Sequence, residues 1–141
     1  MFDPREQCFA ALPYMVSVRR RLHENPELAG REFNTVAFIR SELERMGINY
    51  INIPDGGVLG IIEGCKEGKT VLLRADCDAL PIQECEVNGG GQPKVCLSKI
   101  DGAAHMCGHD SHTAMLLGAA SVLKDNTAEL EGRVFLLFER G

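Results

Sequence analysis

Apolar positions follow two different periods along this chain. From about Glu6 to Glu24, Phe9, Leu12, Val16 and Leu22 recur at helical spacing, with Pro13 expected to kink or restart the helix. Asn25-Pro26-Glu27 breaks that pattern. A second helix is predicted from about Arg31 to Met46 on Phe33, Val36, Ala37 and Leu43, with Gly47 as its stop. Ile48–Ile53 and Val58–Glu63 read as short strands separated by a hairpin-like turn, Pro54-Asp55-Gly56-Gly57. In Thr70–Asp76 the apolar residues are continuous, the pattern of a strand covered on both faces. No periodicity survives from Leu80 to about His105. Within that tract Asn88-Gly89-Gly90-Gly91-Gln92-Pro93 reads as a loop, because a phosphate cradle needs a strand leading in and a helix following promptly. A third helix is predicted from about Ser111 to Lys124, with Thr113, Leu116, Leu117, Ala120 and Leu123 as its core stripe and Gly118 for close packing. Asp125–Glu131 connects it to a buried-type strand, Val134–Phe138. Strand, helix, strand in this order predicts an α/β layered domain with a mostly parallel central sheet.

Composition narrows the function classes. At 141 residues, with 45% hydrophobic and 25% charged residues, the chain has the size and balance of one ordinary globular domain. The net charge of −5, with both signs interspersed, argues against nucleic acid as a partner. Arg19-Arg20-Arg21 lies in a helical pattern and reads as a solvated face. No stretch approaches the ~20 apolar residues of a membrane span, and Met1–Glu6 lacks the apolar core of a signal peptide. A cytoplasmic chain without membrane contact is therefore expected. The six cysteines include no Cys-x-x-Cys pair, which weakens redox-motif and zinc-ribbon readings, and a disulfide framework is not expected.

One segment concentrates chemistry. His105-Met106-Cys107-Gly108-His109-Asp110-Ser111-His112 sets a thiol, three imidazoles and a carboxylate just ahead of the third helix. Thiolate sulfur and imidazole nitrogen suit zinc and other late first-row ions. In extended backbone Cys107 and His109 project to the same side, and His105 shares their parity. The alternative is a loop with a buried thiol and hydrogen-bonded imidazoles. Asp110 is a candidate acceptor behind a ligating imidazole, the N-cap of the helix, or both. His112 falls at the helix start, where the dipole favours the neutral ring; it is a candidate ligand, base or surface histidine. Asp76-Cys77-Asp78 ends the strongest strand, where ligands bind in open α/β sheets, although turn-forming aspartates are equally at home there.

Three motifs carry a resemblance: Arg21-Leu22-His23-Glu24-Asn25-Pro26-Glu27-Leu28, then Leu73-Arg74-Ala75-Asp76-Cys77-Asp78-Ala79-Leu80-Pro81-Ile82, then His105 through Ala120. In this order they resemble the M20 metallopeptidase family, closest to its amidohydrolase branch of hippurate hydrolases, N-acyl-amino-acid amidohydrolases and auxin-conjugate hydrolases. The resemblance implies a hydrolase of the amide bond in N-acyl amino acids. It implies two divalent ions per complete site, Mn2+ or Zn2+ foremost, with Co2+ or Ni2+ as alternatives. Cys107 and His109 match the family's first metal ligands. Asp78 matches the strand-end aspartate and is carried, with Asp110 and His112, as a candidate behind the ligands. The resembling mechanism polarises the scissile carbonyl and acidifies a bridging water while a glutamate shuttles its proton.

That glutamate belongs to a Gln-Pro-Ala-Glu-Glu motif after the strand matching Val134–Phe138. Here Glu139-Arg140-Gly141 stands where the motif begins, so the catalytic pair is expected beyond Gly141 and Glu139 is not the catalytic residue. Residues 1–141 are expected to be the N-terminal portion of the catalytic domain, without the inserted dimerisation domain through which the family forms homo-oligomers and without the C-terminal half. The chain alone is expected to be inactive. The alternative is a non-catalytic metal-binding or partner-binding remnant of that fold.

Overall fold

The structure, a computed structural model, describes residues 3–141; the amino-terminal stretch read above begins at Met1 and Phe2, outside the described residues. Asp3 starts the first helix, α1 (Pro4–Glu24). Its carboxylate accepts the Arg5 N–H at 2.9 Å, and Pro4 occupies a first-turn position that needs no donor. The helix α1 runs on through Pro13, so the proline does not restart it, and that residue lies on the exposed side. The second helix, α2 (Phe33–Arg45), is capped from outside itself: the Glu27 carboxylate accepts the N–H groups of Asn34 at 3.1 Å and Thr35 at 2.7 Å.

Four strands follow the order β1-β2-β4-β3: β1 (Asn49–Ile53), β2 (Gly57–Glu63), β3 (Lys66–Asp76) and β4 (Glu131–Glu139). The tight turn before Gly57 makes β1 and β2 antiparallel, with Ile53 opposite Gly57. Gly57 is required there: its φ is 110°, and a Cβ would fall 2.0 Å from the Phe138 carbonyl oxygen. The third helix, α3 (His109–Asp125), is the crossover between β3 and β4, which pair in parallel. The α/β layering is as the order of elements implied. Parallel pairing is confined to this crossover unit, because β2 lies antiparallel to β4 and the sheet is mixed.

The core lies between the helices and the sheet. Leu22 of α1, Ile39 and Leu43 of α2, and Leu117 and Ala120 of α3 meet Val58, Ile62, Leu136 and Phe138. Fully burying such side chains contributes roughly 1.5–3 kcal/mol each. The third strand corrects the sequence expectation. It is the sheet's edge, with Val71 50% and Leu72 52% exposed, because only β4 pairs with it. A continuous apolar run identifies a strand but not which layers cover it. Among the described residues no helix is long and apolar enough to cross a membrane.

Candidate metal centre

Two chain segments converge where β3 ends and α3 begins. Thr113 Oγ1 donates to the Asp76 carbonyl at 3.1 Å, clamping the first turn of α3 onto the strand end. The register of this clamp brings one carboxylate and two imidazoles together. Asp76, His109 and His112 each offer a ligand atom, and these atoms lie within 4.8 Å of one another. His112 Nδ1 is 2.7 Å from Asp76 Oδ1, and His109 Nε2 is 3.6 Å from Asp76 Oδ2. The two rings stack, with centroids 5.6 Å apart.

His109 is oriented from behind. Its Nδ1 faces the Asp78 carboxylate at 2.9 Å and the Asp78 carbonyl at 3.0 Å, and both are acceptors. Nδ1 therefore carries a proton, and Nε2 is the nitrogen turned toward Asp76 and free to take a cation once it is unprotonated. A carboxylate behind a ligating imidazole is the arrangement that fixes a metal-binding tautomer. Burial pushes the Asp76 carboxyl up, but the hydrogen bond from His112 and the nearby His109 outweigh it and hold the group below the usual carboxylate range. An ionised carboxylate and an oriented imidazole lone pair are donors suited to a divalent cation.

The remaining sequence candidates occupy different positions. Cys107 is exposed and lies outside the trio. Extended-strand parity does not relate it to His109, because Gly108 between them takes the left-handed conformation, φ 91°, and turns the chain into α3. Gly108, not Asp110, is the N-cap. Asp110 is fully buried in the first turn with its carboxylate turned away from the trio. It accepts from His23 Nδ1 at 2.7 Å, Arg19 Nε at 3.0 Å and the Ser111 N–H at 2.8 Å. His105 is buried with neither ring nitrogen hydrogen-bonded, and burial lowers its pKa, which keeps the ring neutral.

Three further residues about the site have partners that the sequence did not show. Asp76 was visible as a strand-end carboxylate, but nothing local showed that it faces both histidines. Glu84 lies in the patternless tract, yet it is 9% exposed and accepts from His23 Nε2 at 3.0 Å, Lys94 Nζ at 2.9 Å and the Ser98 N–H at 2.7 Å. Burial pushes its carboxyl up, but these donors bring it down to about 2. Glu32, fully buried, accepts from Arg140 Nε at 3.1 Å and the Gly141 N–H at 2.7 Å. That contact seats the exit of β4 against Asp78: a Cβ at Gly141 would fall 2.6 Å from Asp78 Cγ.

Known proteins share this sequence and fold. The model of Peptidase family M20/M25/M40 matches residues 72–141, the stretch holding the whole trio. An IAA-amino acid hydrolase ILR1-like 5 of Arabidopsis thaliana is 48% identical over 127 residues, covering 89% of this chain and 28% of that protein. An N-acetyl-L-cysteine deacetylase of Bacillus subtilis is 46% identical over 126 residues, covering 89% and 29%. The chain thus spans less than a third of either relative's length. Among solved structures, the Bacillus subtilis YXEP protein, described as a dinuclear metal binding peptidase, superposes with a TM-score of 0.82 at 37% identity. The match covers 99% of this chain and 36% of that one.

Proposed function

From the premise that this chain belongs to peptidase family M20/M25/M40, we propose that it supplies one half of the metal centre of an amide hydrolase acting on N-acylated amino acids. The observation that carries the reading is His109, with Nδ1 tied to Asp78 and Nε2 turned toward Asp76. Divalent ions bound there supply Lewis-acid polarisation of the amide carbonyl and a more acidic water. Asp76 brings an ionised carboxylate, His109 a lone pair of fixed direction, and His112 a second imidazole within reach of the same point. Asp78 keeps the His109 proton on Nδ1. Cys107, exposed just ahead of Gly108, is the further thiolate ligand of this proposal, with Asp110 anchoring the helix start rather than ligating.

The proton shuttle is assigned to no residue of this chain, and the 141 residues alone are not expected to cleave a hippurate-like amide. The substrate class belongs to the same proposal, drawn from the relatives and the three motifs, and a homo-oligomeric complete protein and a cytoplasmic setting are proposed with it. X-ray absorption of the zinc-loaded chain tests it. The expected spectrum shows imidazole and carboxylate scattering at about 2.0–2.2 Å, with sulfur at about 2.3 Å reporting Cys107. A spectrum of zinc surrounded by water alone contradicts it.

A further inference from the structure

A chain of mostly buried polar groups lies behind the metal centre and offers it no ligand. Lys94 pairs with Glu84, Glu84 with His23, and His23 with Asp110, which also holds Arg19. His23, at the end of α1, is 4% exposed and Asp110 is fully buried. The two residues are 87 apart in sequence, and Glu84 is 61 from His23. The network thus ties the end of α1, the start of α3 and the long irregular tract to one imidazole.

Stability alone is a poor reason for such a chain, since well-packed apolar residues commonly match or exceed a buried ion pair. Its placement points elsewhere. The first turn of α3 has no side-chain cap: Gly108 stands at the N-cap and offers no side-chain oxygen. Beside the His109–Asp78 and His112–Asp76 contacts, side-chain tethers hold the start of the helix, Thr113 on the Asp76 carbonyl and Asp110 on His23 and Arg19. His109 and His112 ride on the same turn, His109 directly beside Asp110.

We propose that His23 is a positioning residue of the metal centre: by holding Asp110 it fixes the first turn of α3, and with it the directions of the His109 and His112 rings. This rests on the metal reading above. Because His23 bridges two carboxylates at once, a side chain with a single donating end cannot replace it.

The test uses the 141-residue chain, His23→Gln, Asp110→Asn, and Ile39→Val as a control that loosens the core away from the network. Two quantities are read. One is the His109 Nδ1–H signal in ring 15N–1H spectra of metal-free protein; the other is the cobalt(II) dissociation constant. In His23→Gln the His109 signal shifts or broadens and the dissociation constant rises roughly tenfold or more. Ile39→Val leaves both within about twofold. A folded His23→Gln with an unaltered His109 signal and affinity within twofold overturns the proposal. Should His23→Gln fail to fold by circular dichroism, Asp110→Asn decides. It keeps the side chain's size but removes the charge through which Asp110 and His23 hold each other: a shifted His109 signal supports the proposal, and an unchanged one overturns it. If the unsubstituted chain binds no cobalt, the metal reading fails, and the metal-free spectra still decide the role of His23.

Discussion

Asp78 and His109 form a directed pair: the ring nitrogen Nδ1 lies 2.9 Å from the carboxylate and 3.0 Å from the carbonyl of the same residue. One amino acid thereby supplies two acceptors to one N–H, and the opposite nitrogen is left to face Asp76. The pairing joins the loop after β3 to the first residue of α3, so the fold itself sets the tautomer.

Replacing Asp78 by Ala removes the carboxylate but keeps the carbonyl. Outer partners of a ligating histidine typically carry 10–100-fold in metal affinity. The retained carbonyl places Asp78→Ala at the lower end, about tenfold weaker for zinc. Competition against a chromophoric chelator measures this; an affinity within twofold of the unsubstituted chain contradicts the orientation argument.

Cysteine reactivity separates the thiols. Burial, with the carboxylates of Glu32, Asp78 and Asp76 nearby, pushes Cys77 up to about 12, whereas Cys8, Cys65, Cys85 and Cys107 are exposed. The thiolate is the nucleophile, so iodoacetamide at neutral pH is expected to modify the exposed four and spare Cys77. Zinc is expected to slow modification at Cys107 and leave Cys8, Cys65 and Cys85 unchanged, as peptide mapping by mass spectrometry reads. Equal labelling of Cys107 with and without zinc removes it from the centre.

Acid should destabilise the chain through Glu84. Its folded-state value of about 2 lies below the ordinary 4.5 of the unfolded chain, so its contribution is complete above pH 4.5 and is lost as pH falls toward 2. Urea midpoints measured from pH 6 down to pH 2 should fall in that window for the unsubstituted chain. Glu84→Gln should start from a lower midpoint and fall less. A parallel decline in both proteins assigns the acid sensitivity to other groups.

Core position and edge position predict opposite outcomes for apolar truncation. Phe138 is fully buried, so Phe138→Ala should cost about 3–5 kcal/mol, a large part of a typical total of 5–15 kcal/mol. Leu72, half exposed on the edge strand, should lose under about 1 kcal/mol as Ala. Urea unfolding followed by circular dichroism distinguishes them, and similar losses would mean that β3 is covered.

Local pattern reached most of the elements and stopped at long-range geometry. Helical spacing located α1, α2 and α3, and the turn residues around Gly56 located the β1–β2 hairpin. The cluster from His105 to His112 marked the site because its residue types are chemical rather than structural. The partners of Asp76, Glu84 and Glu32 were opaque for one reason. Each acts across 36 or more residues: Asp76 on His112, Glu84 on His23, Glu32 on Arg140. Parity could not relate Cys107 to His109, since a glycine with positive φ interrupts the extended backbone that parity assumes.

Titration calorimetry of zinc into the 141-residue chain and its His109→Ala variant tests the central claim most directly. The account predicts saturable binding of no more than one ion per unsubstituted chain and a loss of at least about tenfold in affinity when the oriented imidazole is removed. Binding equally tight in His109→Ala, or no binding by the unsubstituted chain, would contradict it.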